Sequence, residues 1–203
     1  ENRRAYRDLL FTTPGAEEFI SGVILYDETI RQTSADGTPF PKLLGSKGII
    51  PGIKVDMGAK PLAGSPEETV TEGLDGLRER CQEYYELGAR FTKWRAVINI
   101  GADRPSEYAI WTNAHALARF AALSQEAGLV PIVEPEVMMD GEHTIDESYL
   151  VTERTLRALY TELFDQRVER DGSLLKTNMV VSGYDSSDQA DVDTVADRTI
   201  QCL

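Results

Sequence analysis

Charged and polar residues two positions apart recur inside the apolar segments of this chain, and few folds accommodate that pattern. In a strand, residues two apart share a face. Lys54 and Asp56 do so in GIKVD (52–56), Lys93 and Arg95 in FTKWR (91–95), Glu134 and Glu136 in IVEPE (132–136), and Lys176 and Asn178 in LLKTN (174–178). Every pair falls toward the C-terminal end of its segment. Burying an unpaired charge is costly, so a core strand does not carry Lys or Glu without compensation. One reading is a set of ion pairs that only fixes strand order. The other is a site assembled from several strand ends, and the recurrence of such pairs at one end of four strands favours it.

Five segments read as strands: Ile20–Tyr26, Ile49–Asp56, Arg90–Val97, Val130–Glu136 and Leu174–Val180. Apolar runs of this kind fit a parallel sheet covered by helices. Helices are expected at Arg4–Phe11, Leu74–Leu87, Ser106–Ala127, Glu147–Arg167 and Asp191–Leu203. Ser106, just after Pro105, suits an N-cap, and Gly88 and Gly128 suit the C′ position of two of these helices. Leu150, Leu156, Leu159, Tyr160 and Leu163 mark one apolar face of Glu147–Arg167. Trp111 and Phe120 are expected to pack a helix against the sheet rather than to form a partner surface.

Strand starts recur every ~30–45 residues, the size of a βα unit. An open doubly wound sheet and a (β/α)8 TIM barrel both suit this α/β pattern. The doubly wound sheet usually carries a Gly-rich loop after its first strand, and Tyr26–Asp27–Glu28 is unlike one. A barrel fits better, although a complete one needs eight strands and about 250 residues, against five strands in 203 residues here. Either three further strands carry no legible signal, or residues 1–203 form one domain that is a piece of a barrel.

Composition narrows the function. With 21 basic and 34 acidic residues the formal net charge is −13, which argues against nonspecific binding to nucleic acid or to an anionic membrane. No apolar run approaches the ~20 residues of a membrane span. Cys81 and Cys202 lie far apart and read as free thiols of a cytoplasmic protein. Yet the strand ends gather Lys54, Lys93, Lys176 and Arg95 with only Asp56, Glu134 and Glu136. Such a cluster suits an anionic substrate such as a sugar phosphate. An amine crowded by cations in a desolvated pocket gives up its proton more readily, and the neutral amine can attack a carbonyl to form a Schiff base. Imine formation expels water and needs a proton donor and acceptor nearby, a task for a carboxylate such as Glu134.

At these residues the chain resembles class I (Schiff-base) fructose-1,6-bisphosphate aldolase. The stretches that carry the resemblance are ENRR (1–4), GVIL (22–25), GIKVD (52–56), GLDGL (73–77), FTKWR (91–95), VPIVEPE (130–136) and LLKTNMV (174–180). The resemblance implies that Lys176 forms the imine, that Glu134 is the general acid/base of imine formation, and that Glu136 tunes it. It implies that Lys93 stabilises developing negative charge with Arg95 close by, that Lys54 serves the phosphate side, that Asp56 orients these cations, and that Arg3 is a peripheral substrate contact. The implied reaction is reversible cleavage of fructose 1,6-bisphosphate to dihydroxyacetone phosphate and glyceraldehyde 3-phosphate, with no metal and no cofactor, in a cytoplasmic homo-oligomer, commonly a tetramer.

Two departures accompany the resemblance. Thr177 follows the imine lysine where the family usually has proline, which restores a backbone N–H and frees φ. The five strands would be the second to sixth of eight, so the first strand with its aspartate and the last two strands with their phosphate contacts are missing. An isolated arc of this kind should depend on a partner or remain partly molten, and could act as a phosphate-binding scaffold without turnover. A metal-dependent enzyme using Glu134, Glu136 and Asp56 is the alternative mechanism. It could draw nitrogen ligands only from His115, expected mid-helix, and His143, expected in a turn; both are expected to be structural or solvated.

Overall fold

The computed structural model describes residues 1–203. Five strands form one parallel sheet: β1 (Gly22–Leu25), β2 (Ile50–Lys54), β5 (Phe91–Ile98), β6 (Val130–Val137) and β7 (Leu174–Leu175). Two more, β3 (Ala59–Leu62) and β4 (Ser65–Thr71), pair antiparallel as a hairpin between β2 and the next helix. The α-helices are α1 (Asn2–Thr12), α2 (Asp27–Ile30), α3 (Phe40–Ser46), α4 (Leu77–Glu86), α5 (Glu107–Glu126), α6 (Ile145–Asp165) and α7 (Val192–Cys202).

The strands of the main sheet lie in chain order, β1-β2-β5-β6-β7. A doubly wound sheet reverses its order at a switch point, and none occurs here. Right-handed crossovers that always advance in one direction leave their helices on one face, as in a barrel wall. Burial agrees. Thr92, Trp94, Ala96 and Ile98 of β5 are buried, while the alternate residues Phe91, Lys93, Arg95 and Val97 are only partly covered. Leu25, Ile53, Trp94 and Val133 join Leu77, Cys81 and Tyr84 of α4 and Leu117, Phe120 and Ala121 of α5 in one core. Trp94 stacks on Phe120, with ring centroids 5.5 Å apart.

The second face departs from the sequence expectation of strands covered on both sides. Ile24, Ile50, Val130 and Leu174 are exposed on it. The Phe91 ring lies across Gly52, where a side chain would collide with it, and against Gly22, where a Cβ would be a tight contact. Glycine at position 52 thus lets the ring approach the backbone closely.

Helix ends follow the expected chemistry. The Ser106 hydroxyl accepts a hydrogen bond from the Ala109 amide at 3.1 Å, and Gly88 and Gly128 take positive φ of 109° and 78° after α4 and α5. The helix expected from Glu147 begins earlier. Thr144 caps it, and Glu147 at N3 reaches back to the Thr144 amide in a capping box. On α6, Leu156, Leu159 and Leu163 are buried, but Leu150 and Tyr160 face outward. Phe120 packs inward as expected, whereas Trp111 is half-exposed and donates its indole N–H to Glu107 at 3.2 Å.

The strand expected to run to Val180 stops at Leu175, and the cause lies in β6. Lys176 N–H donates to the Val133 carbonyl at 2.9 Å, so Val133 turns its peptide groups toward β7. Residues two apart on a strand point the same way, so Pro131 and Pro135 face that edge too. Proline has no N–H to offer the ladder. Val133 is therefore flanked by two positions that cannot donate, and β7 is held over two residues only.

Candidate active site

The sheet register brings the charged strand ends together. Lys54 lies opposite Lys93 across β2 and β5, and Arg95 lies opposite Glu134 across β5 and β6. Glu134 is the centre. Its side chain is 3% exposed, its Oε1 accepts from the Lys176 ammonium, and its Oε2 forms an ion pair with Lys93. Burial pushes the Glu134 carboxyl up, but the hydrogen bonds and charges of Lys176 and Lys93 outweigh burial and hold it below the usual carboxylate range. Lys93 is largely buried, at 13% exposed, whereas the Lys176 side chain remains 56% exposed. The buried carboxylate thus grips one ammonium that solvent and a ligand can reach.

Two further pairs flank this triad. Arg95 pairs through Nε with Glu136 and also reaches the Met138 sulfur at 3.5 Å. Lys54 pairs with Asp56, which is buried and also accepts from the Gly58 amide at 3.1 Å and the Arg95 amide at 3.3 Å. Asp56 therefore ties the end of β2 to the backbone of β5. Four cations share three carboxylates, and the cluster keeps one net positive charge when all are ionised. In a chain of net charge −13 this concentrates positive potential at one end of the sheet.

A family model described as class-I fructose-bisphosphate aldolase matches residues 1–203. This chain belongs to that family. The aldolase-family chain is 63% identical over 203 residues to the probable fructose-bisphosphate aldolase class 1 of Xylella fastidiosa, covering 100% of this chain and 61% of that protein. It is 55% identical over 202 residues to the cytosolic fructose-bisphosphate aldolase 6 of Arabidopsis thaliana, covering 100% of this chain and 56% of that protein. Among solved structures, the fructose-bisphosphate aldolase of Plasmodium falciparum, in complex with TRAP and a small-molecule inhibitor, superimposes with a TM-score of 0.97 at 45% identity. That match covers 100% of this chain and 59% of the other. The chain thus spans about three-fifths of the length of the relatives it matches. The α/β barrel-wall topology agrees with that likeness.

Not every residue singled out in the sequence joins this charged cluster. Arg3 is 78% exposed on α1 and pairs with Glu28 at 3.4 Å. Asn178, expected to share a face with Lys176, is buried elsewhere. Its Oδ1 accepts from the Val137 amide and its Nδ2 donates to Thr152 on α6, each at 3.2 Å. His115 is exposed on α5 beside Glu162 at 3.1 Å. His143 is buried, with neither ring nitrogen hydrogen-bonded. No three His, Cys, Asp or Glu side chains converge as a metal site.

Sequence reasoning missed the supports behind the cluster. Arg80 of α4 donates to the Val55 carbonyl at 3.0 Å and to the Gly73 carbonyl at 2.5 Å, bracing the end of β2. Thr71 and Thr69 of β4 donate to the Arg95 and Val97 carbonyls at 2.7 and 3.1 Å, where β2 no longer pairs with β5. Buried Asn113 of α5 holds β4 through the Thr71 amide and the Thr69 carbonyl. A lone Asn inside an apolar helical run was the available signal.

Proposed function

We propose that the protein containing this chain cleaves fructose 1,6-bisphosphate reversibly into dihydroxyacetone phosphate and glyceraldehyde 3-phosphate through an imine on Lys176. The observation that carries the proposal is the Lys93–Glu134–Lys176 triad, in which a buried carboxylate grips an accessible amine beside a second cation. Lys176 passes one ammonium proton to Glu134, its neutral amine attacks the substrate carbonyl carbon, and proton transfer from nitrogen to the new alkoxide gives a carbinolamine. Glu134 then donates a proton to the hydroxyl, which leaves as water, and the nitrogen lone pair forms the iminium. As the carbon–carbon bond breaks, the hydroxyl of the departing fragment gives its proton to the aspartate that the family resemblance assigns to the first barrel strand and becomes the aldehyde, while the iminium takes up the released electron pair as an enamine; protonation and hydrolysis of that enamine free dihydroxyacetone phosphate and the Lys176 amine.

Charge balance supports the timing. Lys176 and Lys93 together hold Glu134 in its ionised form. At the carbinolamine stage the Lys176 nitrogen is neutral, so Glu134 has lost one of its two cationic partners and its proton affinity rises. It rises at the step that needs an acid and falls back once the iminium forms.

The remaining roles follow the same reading. Lys93 stabilises negative charge near the reacting carbons, with Arg95 beside it. Glu136 fixes Arg95 and tunes the acid/base step. Lys54, oriented by Asp56, faces a substrate phosphate. Arg3 is a peripheral substrate contact that must first leave Glu28. Residues 1–203 form part of one aldolase-type barrel domain, its five parallel strands being the second to sixth of eight. A cytoplasmic, homotetrameric protein is part of the proposal, supported for location by the names of cytosolic plant relatives. No helix is long and apolar enough to cross a membrane.

Borohydride reduction in the presence of dihydroxyacetone phosphate, followed by peptide mass analysis, tests the proposal. The expected result is a reduced adduct on Lys176 that disappears in Lys176→Ala. An adduct on a longer chain but not on these 203 residues assigns imine chemistry to the larger protein and leaves this segment a phosphate-binding piece. No adduct on either removes the Schiff-base mechanism.

A further inference from the structure

The imine lysine of the proposed function sits where its strand ceases to be a strand. Its own N–H is bonded to the Val133 carbonyl at 2.9 Å. The next ladder partner on β6 is Pro135, which has no N–H to give the Lys176 carbonyl. Beyond it, the Val137 amide is the next donor on that edge, and it is taken by the side-chain oxygen of Asn178 rather than by a strand backbone. The same amide side chain donates from Nδ2 to Thr152 on α6 and to the Met179 carbonyl at 3.1 Å. Asn178 is buried, and only Thr177, whose φ no ring restrains, separates it from Lys176.

We infer that Asn178 is a positioning residue for Lys176. Its side chain stands in for the ladder that Pro135 interrupts, and it bolts the segment after Lys176 both to β6 and to α6. Lys176 is thereby held between a backbone bond on one side and a side-chain clamp on the other. Both anchors attach to β6, the strand that carries Glu134, so the amine and its acid/base partner move as one body. The inference rests on the Schiff-base reading of Lys176. It does not require Asn178 to touch substrate.

The test uses the full-length protein that contains this chain, with Asn178→Ala and Asn178→Asp. Aspartate keeps the oxygen that accepts from Val137. Losing the clamp displaces the nucleophile without altering the substrate's binding groups, so Asn178→Ala should lower kcat, and the rate of borohydride-trapped adduct on Lys176, about 100-fold. KM should stay within about twofold, because an effect confined to the reacting geometry appears in kcat. Asn178→Asp should recover about tenfold of the loss, since one restored bond to a charged acceptor is of that order. Wild-type rates in a folded Asn178→Ala protein overturn the inference, as do equal losses in both variants. If Asn178→Ala does not fold, Thr152→Val carries the test: a lower kcat at unchanged KM supports the clamp, and an unchanged kcat overturns it. A wild-type protein that forms no adduct on Lys176 overturns the Schiff-base reading, and this inference with it. A wild-type adduct with an unaffected Asn178→Ala removes only the inference.

Discussion

Glu134 has two ammonium partners and almost no contact with water. Replacing its carboxylate with an amide keeps the shape but removes both the proton carrier and the charge that balances Lys93 and Lys176. Under the aldolase reading, Glu134→Gln should slow imine formation by about 10²–10⁴-fold, the usual contribution of a positioned acid/base. Stopped-flow measurement of adduct formation on Lys176 checks this, and a rate within a few-fold of wild type would assign the proton transfer to another group. These residues were legible because strand alternation is blind to chain distance. Lys54, Lys93, Arg95, Glu134 and Glu136 fall on one face simply by spacing. Asn178 was misplaced by the same rule, because alternation holds only while a segment stays extended and β7 ends at Leu175. Arg3 lies on a helix, where spacing says nothing about what it will meet, and it meets Glu28.

Among the elements, the β3–β4 hairpin had no apolar signature to announce it. Its residues are largely polar or exposed, and it is fixed by side chains rather than by a hydrophobic face. Thr69 and Thr71 cap the carbonyls of β5 that β2 leaves free, and Asn113 locks β4 onto α5. Glu68, buried beside them, accepts from the Ser106 amide at 2.8 Å and from Ser65 at 2.8 Å. Asn113→Ala should therefore destabilise the fold by about 1–3 kcal/mol, the cost of leaving buried backbone groups unpaired. Denaturant unfolding measures it, and a loss below about 0.5 kcal/mol would mean that water replaces the amide. The main helices were legible from their caps and apolar spacing, and the parallel strands from their apolar runs. The shortness of β7 could have been read from the two prolines of VPIVEPE, had their N–H-deficient edge been matched to a neighbour.

For the molecule as a whole, acid should be destabilising in two stages. His143 is buried between the loop after β6 and the segment around Gly183, which are joined by Gly183 N–H to His143 carbonyl and Tyr184 N–H to Met139 carbonyl bonds, each 2.8 Å. Burial drives its pKa down, and the Glu147 charge offsets only part of that. The unfolded chain thus takes up a proton that the folded chain refuses. The stability tied to His143 is present above the ordinary imidazole range and is lost as pH falls through it. Glu134 acts lower. Its folded-state pKa is depressed, so its contribution is present above the ordinary carboxylate range and lost as pH falls toward the folded value. Unfolding free energies at about pH 8, 5 and 3 should decline stepwise. His143→Phe should flatten the first step and leave the second, and an unchanged first step would show that another group titrates there.

The prolines of β6 give that strand two unlike edges. Toward β5 its amides are engaged from Val130 to Met138, with bonds to the Arg90 and Ile98 carbonyls at its ends. Toward β7 it owns only the N–H groups of Val133 and Val137, because Pro131 and Pro135 contribute none. In deuterated water, the record kept by that second edge would be two protons long. The Val137 proton, held by a side chain rather than by a sheet, would act as a clock for the moments when the segment after Lys176 lets go.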